Sequence, residues 1–190
     1  DVSKVDVSMN GIELQDREFI AAIREGREPN SSVQQVLACY DVLDRLELEH
    51  DNLRAALATA LATDPTLALE LTSATWRFWV NRGLIAEGAR WLTLALNASN
   101  DRSALRARAL AAMSVMHIRQ ARATELIAIG DEIVDLLNKY GEPGERAHGY
   151  HQRALLTFMA GDWELAQTQS DEALHVSAGF PGVTASTQHF

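Results

Sequence analysis

The chain has 190 residues, a formal net charge of −9 at pH 7 and 47% hydrophobic residues. This composition suits a globular domain with a sizeable core, and no apolar run approaches the roughly 18 residues that a membrane-spanning helix needs. An acidic chain lacks the basic surface that nucleic acids require, and its charged first residues do not resemble a secretion signal. We therefore expect a cytoplasmic protein that binds neither nucleic acid nor membranes directly.

The first 46 residues predict a short strand and turn followed by helices. Valines nearly alternate over residues 2–7 ahead of an Asn-Gly pair, which is a weak strand-and-turn signal. Apolar residues recur at helical spacing over residues 14–25, and Gly26 predicts the end of that helix. Ser32, followed three positions later by Gln35, matches a capping box and predicts the start of a second helix.

The stretch from residue 33 to residue 63 contains neither Gly nor Pro. One continuous helix of roughly thirty residues is therefore permitted, and a break near residues 47–50 is the alternative. The single cysteine, Cys39, lies on the apolar face of this stretch, so we expect a packed thiol. A lone cysteine allows no internal disulfide, which agrees with a reducing compartment.

Three helix-turn-helix pairs follow. Apolar residues at amphipathic spacing over residues 67–99 predict two helices folded back on each other. Residues 104–120 and 124–137 predict the second pair, and the third opens after residues 141–144. The predicted corners lie at residues 81–83, at residues 121–123 and at Gly161. The 78 positions between Gly83 and Gly161 divide into two units of about 39 residues, which indicates a helical repeat.

Tryptophans and small residues on these helices are assigned to packing. We expect the four tryptophans to lie mainly in the core. Ala166 and Ala173 are seven residues apart on one face of the last predicted helix, where small side chains let neighbouring helices approach closely. Trp163 is predicted to fill the seam beside them.

Motifs that would indicate catalysis do not occur in this sequence. We find no phosphate-binding Gly-x-x-x-x-Gly-Lys-Ser/Thr loop, no Gly-x-Ser-x-Gly turn and no Gly-rich dinucleotide-binding turn. His148 and His151 share a helix face with Glu145 one turn away, the one spacing that suits a metal, but solvated or groove-lining side chains are the preferred interpretation. We therefore expect no enzymatic activity, no cofactor and no metal.

The front of the chain resembles a family of oxidoreductases. Residues 5–47, above all the stretch DREFIAAIREGREP, are similar to the carboxy-terminal end of the glucose–fructose oxidoreductase and inositol dehydrogenase family. In that family the segment is scaffold. The family's dinucleotide-binding and catalytic motifs are absent from this sequence, so the resemblance transfers no activity.

The rest of the chain resembles a different family. From about residue 47 to residue 174, the pattern TWRFWVNRGLIAEGARWLTLAL and the later GDWELAQTQSDEAL are similar to the tetratricopeptide-type region of bacterial signal-transduction ATPases and LuxR-type transcription regulators. We predict an all-α fold whose tetratricopeptide-like helix-turn-helix repeats form a right-handed α-solenoid. The predicted organisation is an N-terminal segment at 1–46, a repeat domain at 47–177 and an irregular tail at 178–190.

In a tetratricopeptide stack, the first helix of each pair lines a concave groove. Counting back from each corner predicts nine groove residues, whose arginine, amide and histidine side chains suit an extended peptide or a carboxylate. They are Ser73, Arg77, Val80 and Asn81 in the first pair, Arg119 and Gln120 in the second, and His148, His151 and Met159 in the third.

These observations predict a non-enzymatic protein–protein interaction module, with a protein or peptide in the groove, from a larger bacterial transcriptional or signalling regulator. One alternative is an effector-sensing domain that binds a small ligand in the same groove. A second alternative is the remnant of an NAD(P)-dependent oxidoreductase.

Overall fold

The computed structural model describes residues 11–30 and 32–178. The strand predicted near residues 2–7 lies outside these residues. So do residues 179–190 of the tail predicted at 178–190, whereas residue 178 is the last residue of a helix, not irregular. Every regular element in the described residues is helical, with no strand among them, so the all-α prediction is confirmed. The chain forms two compact units, Asp1–Asp51 and Asn52–Phe190, which are described separately below. The sequence placed this division a few residues earlier, between residues 46 and 47.

The helices of the described residues are numbered α1 to α9 in chain order. They span Gly11–Glu25 (α1), Val33–Leu48 (α2), His50–Thr63 (α3), Pro65–Asn81 (α4), Ile85–Ala98 (α5), Ala104–Arg119 (α6), Leu126–Tyr140 (α7), Pro143–Met159 (α8) and Trp163–Ala178 (α9). A short 3-10 turn at Ala123–Glu125 precedes α7, so α7 begins slightly later than the sequence predicts.

In the first unit, charged hydrogen bonds organise the segment after α1. Gly26 adopts φ +65 where α1 ends, as predicted. The guanidinium of Arg27 donates to both carboxylate oxygens of Glu18, at 2.6 and 2.8 Å, and its Nε donates to Glu25 at 2.6 Å. Its hydrogen bonds, together with the N–H of Asn30, lower the pKa of Glu18 to about 2.

Helix α2 begins and ends where local backbone chemistry dictates. The hydroxyl of Ser32 accepts the N–H of Gln35 at 3.2 Å, so the predicted helix start is confirmed. At Glu49 the backbone leaves the helical region, with φ −95 and ψ 13, and α3 begins at the next residue. The single long helix is therefore not formed, and the alternative of a break near residues 47–50 is confirmed.

Most apolar side chains of α1 and α2 are exposed. None of the residues of α2 is buried, and Cys39 is exposed, so its predicted packing was wrong. An apolar helix stripe becomes buried only where another element covers it, and sequence periodicity cannot supply that element. The large exposed side chains are Phe19, Ile20, Ile23, Val33, Val36, Leu37, Tyr40, Val42 and Leu48.

In the second unit, α4 to α9 form three consecutive helical hairpins. Each helix packs against the next one in the chain, and α6 also contacts α4 and α8. The core of this unit is built from aliphatic and aromatic side chains of these helices and of α3. Its largest fully buried apolar members are Leu57, Leu69, Phe78, Trp79, Leu92, Met116, Leu126, Ile133, Leu136 and Leu156.

The three hairpins turn with the same backbone geometry. In each, the second residue after the first helix is left-handed, with φ 72 at Gly83, φ 57 at Ala121 and φ 91 at Gly161. The N–H of the following residue then donates to a carbonyl five residues back, which satisfies a free carbonyl at the helix end as in a Schellman motif. These bonds join Leu84 to Trp79, Arg122 to His117 and Asp162 to Thr157, at 2.8, 2.9 and 3.2 Å.

Tryptophans occupy both core and surface positions in this unit. Trp79 is fully buried, and a Cβ at Gly88 would lie 2.9 Å from its Cβ, so α4 and α5 approach closely. Trp163, predicted to fill a seam, is 67% exposed, so that prediction was wrong. Its ring instead lies edge-on to the half-exposed ring of Phe158, with 4.9 Å between centroids.

Candidate functional site

A cavity of about 220 Å³ opens in the second unit between α4, α6, α7 and α8. Seven apolar residues and six polar residues line it. The apolar lining comprises Trp76, Ala107, Ala111, Ala112, Val115, Ile133 and Leu137. The polar lining comprises Ser73, Arg77, Arg108, Glu145, His148 and Gln152.

Helical periodicity brings these side chains together. Residues three, four or seven positions apart lie on one face of a helix, and the lining positions follow this spacing on α4, α6 and α8. The face of α6 toward the cavity carries alanines at 107, 111 and 112. Since alanine has the smallest side chain with a Cβ, these positions leave the space that larger residues would fill.

Arg77 is held over an aromatic ring at the cavity. Its guanidinium carbon lies 4.6 Å from the ring centroid of Trp76, a cation–π geometry. Within residues 11–30 and 32–178, Arg77 forms no ion pair. The stacked guanidinium therefore keeps its N–H groups available to a ligand.

The second arginine of the cavity has an anionic partner. Nε of Arg108 lies 3.5 Å from Oε1 of Glu145, which joins α6 to α8. The other carboxylate oxygen of Glu145 accepts the N–H of Glu142 at 3.0 Å, as part of the capping box that begins α8. Glu145 is thus fixed in place and balances the charge of Arg108.

The remaining polar side chains supply neutral groups. Burial lowers the pKa of His148, and the nearby His151 lowers it further, which favours the neutral imidazole. The amide of Gln152 donates to the hydroxyl of Ser114 at 3.3 Å. Arg77 is consequently the cationic group in the cavity lining that no carboxylate balances.

The cavity brings together three of the nine predicted groove residues, Ser73, Arg77 and His148. The amide of Asn81 donates to the carbonyl of Arg77 in its own helix at 2.8 Å, and Nε2 of His151 lies 3.0 Å from the hydroxyl of Ser177 on α9. The other predicted residues, placed near the ends of α4, α6 and α8 and outside the lining, are Val80, Arg119, Gln120 and Met159. The role of all nine in binding stays a prediction.

Ten of the thirteen lining residues were not among the nine predicted groove residues, and Trp76, Arg108, Val115 and Gln152 are four of them. Counting back from the corners selected residues from the last turn to about three turns earlier on α4 and α8, but on α6 it selected only Arg119 and Gln120 at the helix end, whereas the lining residues of α6 lie at positions 107–115. Gln152 lies two turns before the predicted Met159, and Arg108 lies about three turns before the predicted Arg119. Positions that much earlier on the same helices would have found both residues.

Two further features of the described residues bear on function. No group of three or more His, Cys, Asp or Glu side chains in this part of the chain is placed to hold a metal ion. None of the described helices is both long and apolar enough to cross a membrane.

Comparison with known proteins gives one partial similarity. No protein-family model matches the chain. A segment of 49 residues, 26% of the chain, is 84% identical to a 4-carboxy-2-hydroxymuconate-6-semialdehyde dehydrogenase from Sphingobium sp. (strain NBRC 103272 / SYK-6). The chain spans 16% of the length of that enzyme.

This match is consistent with the resemblance of residues 5–47 to the end of an oxidoreductase. It also corrects the expectation that the chain is not an enzyme. An identity of 84% over 49 residues with a dehydrogenase points to an enzyme-related origin for that segment, so that expectation was wrong. The absence of catalytic motifs misled the sequence reasoning because the chain spans only 16% of the length of that enzyme, too little to require its motifs.

Proposed function

We propose that the second unit is a tetratricopeptide-like repeat module whose cavity binds one side chain of an extended peptide from a protein partner. The observation that carries this proposal is the cavity itself, whose lining combines apolar residues with polar side chains contributed by alternate helices α4, α6 and α8. The shared corner geometry of the three hairpins and the contacts of α6 with α4 and α8 support a repeat arrangement. From the resemblance of residues 47–174, we place this module in a larger bacterial transcriptional or signalling regulator.

The size of the cavity favours a peptide over a metabolite. Sites that enclose a small molecule measure about 300–1,000 Å³, whereas this cavity measures about 220 Å³. An apolar cavity of about 150 Å³ suffices to bind benzene. The cavity therefore admits a side chain of the size of Leu, Met or Phe, while the rest of an extended peptide would contact the polar side chains around it.

The test is selection of binding peptides from a displayed library of random sequences, with the full chain as bait. We expect enrichment of peptides that bind the parent protein and fail to bind the Ala111→Phe variant, because the new ring would occupy the cavity. The matched control is Ala128→Phe, an exposed alanine of α7 outside the lining, which should bind as the parent does. If no peptide is enriched, or if Ala111→Phe binds the same peptides equally, the proposal is wrong.

The dehydrogenase match favours a second candidate function related to oxidoreductases. We propose that the matched segment derives from such an enzyme, and the corresponding activity would be oxidation of 4-carboxy-2-hydroxymuconate-6-semialdehyde. NAD⁺ or NADP⁺ would be the oxidant, as the resemblance of residues 5–47 implies. The test is to mix the chain with that semialdehyde and NAD⁺ or NADP⁺ and to follow formation of the reduced nicotinamide. A rate above that of heat-denatured protein would support this function, and a rate equal to it would reject it.

A further inference from the structure

We infer that the peptide bound in the cavity carries a carboxylate side chain close to its apolar side chain, and that Arg77 binds this carboxylate. The inference rests on the proposed function, since it names the chemistry of the partner for the same site. It goes beyond that proposal because peptide binding through the apolar lining residues alone would require no charge on the peptide.

The charge of the lining supports this inference. The lining contains two arginines and one carboxylate. Arg108 and Glu145 lie 3.5 Å apart and balance each other. In the part of the chain that the structure describes, Arg77 has an aromatic ring beneath it and no carboxylate beside it. A ligand that brings a carboxylate would complete the pairing within the site.

The placement of Arg77 suits a carboxylate better than another acceptor. A guanidinium offers parallel N–H groups that match the two oxygens of a carboxylate, and such paired hydrogen bonds are stronger than neutral ones. Stacking on Trp76 at 4.6 Å orients the guanidinium plane before a ligand arrives. Less side-chain freedom is then lost on binding, which favours affinity.

The position of Trp76 sets the spacing along the peptide. Trp76 belongs to the cavity lining and also contacts the guanidinium of Arg77, so the apolar and cationic parts of the site adjoin. In an extended peptide, each residue advances about 3.3 Å and side chains two positions apart lie on one face. The carboxylate is therefore expected within two positions of the apolar side chain that enters the cavity.

The net charge of −9 does not oppose this pairing at physiological salt. At an ionic strength of 0.15 M, charges separated by more than about 8 Å are largely screened. A carboxylate in contact with Arg77 interacts over a much shorter distance than with most acidic residues of the chain. Local pairing therefore outweighs the repulsion from the rest of the surface.

The test uses the full chain and peptides taken from the library selection. Each is synthesised with an acetylated N-terminus and an amidated C-terminus, so that a terminal carboxylate cannot replace the side chain, and is paired with a version in which every Glu and Asp becomes Gln and Asn. Binding is measured by fluorescence anisotropy. We expect the acidic peptide to bind the parent at least tenfold more tightly than its amide counterpart.

Two variants connect this discrimination to Arg77. Arg77→Gln should bind both peptides equally and more weakly than the parent binds the acidic one. Arg90→Gln is the matched control, because the guanidinium of Arg90 also stacks on a tryptophan, Trp91, at 4.5 Å but does not line the cavity. It should retain the tenfold discrimination, and thermal unfolding of both variants should match the parent.

The possible results separate the two proposals. Peptides that depend on the open cavity but bind equally in acidic and amide form would overturn the carboxylate inference and leave the proposed function standing. The same holds if Arg77→Gln keeps the full discrimination. If the library yields no peptide that Ala111→Phe rejects, the proposed function fails, and the inference fails with it.

Discussion

At the scale of single residues, the corner between α6 and α7 differs from its two counterparts by one methyl group. Ala121 adopts φ 57, where the equivalent residues of the other hairpins are Gly83 and Gly161. The left-handed conformation costs a residue with a Cβ roughly 1–2 kcal/mol, whereas glycine adopts it without this penalty. The second hairpin therefore stores strain that the other two avoid.

We expect Ala121→Gly to raise the free energy of unfolding by up to about 1 kcal/mol, since relief of strain is partly offset by the greater freedom of glycine in the unfolded chain. The reverse change, Gly83→Ala, should lower it by about 1 kcal/mol. A Cβ at Gly83 meets no atom within 4 Å, so backbone strain alone is tested. Urea unfolding measures the free energy of unfolding of both variants. A destabilised Ala121→Gly variant would contradict the conclusion that the backbone at Ala121 is strained.

Residue-level features were predictable where their cause is local. The hydroxyl of Ser32 and the glycine at position 26 act on their own backbone, and both helix boundaries follow from the sequence. The exposure of Cys39 and Trp163 was not predictable in the same way. Whether a hydrophobic side chain is buried depends on a covering element that lies elsewhere in the chain.

At the scale of secondary-structure elements, Arg106 connects three helices. Its Nε donates to Oε1 of Glu132 on α7 at 2.7 Å. Its Nη1 donates to the carbonyls of Leu96 and Ser99, at 3.0 and 3.2 Å, where α5 ends. One side chain of α6 thereby satisfies carbonyls at a helix terminus and binds a carboxylate on the next helix.

We expect Arg106→Ala to lower the free energy of unfolding by about 1–3 kcal/mol, because it leaves a carboxylate and two carbonyls without their donor. Arg108→Ala on the same helix is the control and should change stability by less than about 0.5 kcal/mol, since that arginine is 55% exposed and its ion pair measures 3.5 Å. The measurement is the urea concentration at which half of the protein is unfolded, compared between variants whose free energy of unfolding falls with urea at the same slope. Equal losses for the two variants would show that Arg106 does not connect the helices energetically.

Helices were predictable to within a few residues, and the cavity only in part. Apolar periodicity locates α4 to α9, glycine marks the first and third corners, and both signals are local. The cavity depends on which turn of α4 faces which turn of α6 and α8, a relation set by packing between helices. Arg77 and His148 were found because they lie near enough to the packed turns, while Arg119 and Met159 lie beyond them.

At the scale of the whole molecule, the chain consists of two compact units with different amounts of core. Few side chains are buried among the described residues of the first unit, and Ala22 is an apolar residue among those few. The second unit contains a continuous set of buried side chains from Leu57 to Ala173. Independent stability requires a hydrophobic core of sufficient size, and by this criterion the second unit qualifies.

We expect a fragment of residues 47–178 to unfold in one cooperative transition, with a midpoint within a few degrees of that of the full chain. The reason is that the core of the second unit is built from its own helices. Circular dichroism during heating gives the measurement. A fragment that loses helix gradually, without a transition, would show that the second unit depends on the residues before it.

The aromatic ring beneath Arg77 has an optical consequence. Trp79 and Trp91 are shielded from water and Trp163 is largely in water, so the emission of these three indoles should be insensitive to events in the cavity. Trp76 alone of the four lines it. In a Trp163→Phe background, a shift in intrinsic fluorescence on adding a compound would report occupancy of the cavity directly, with no label attached to the protein or to the compound.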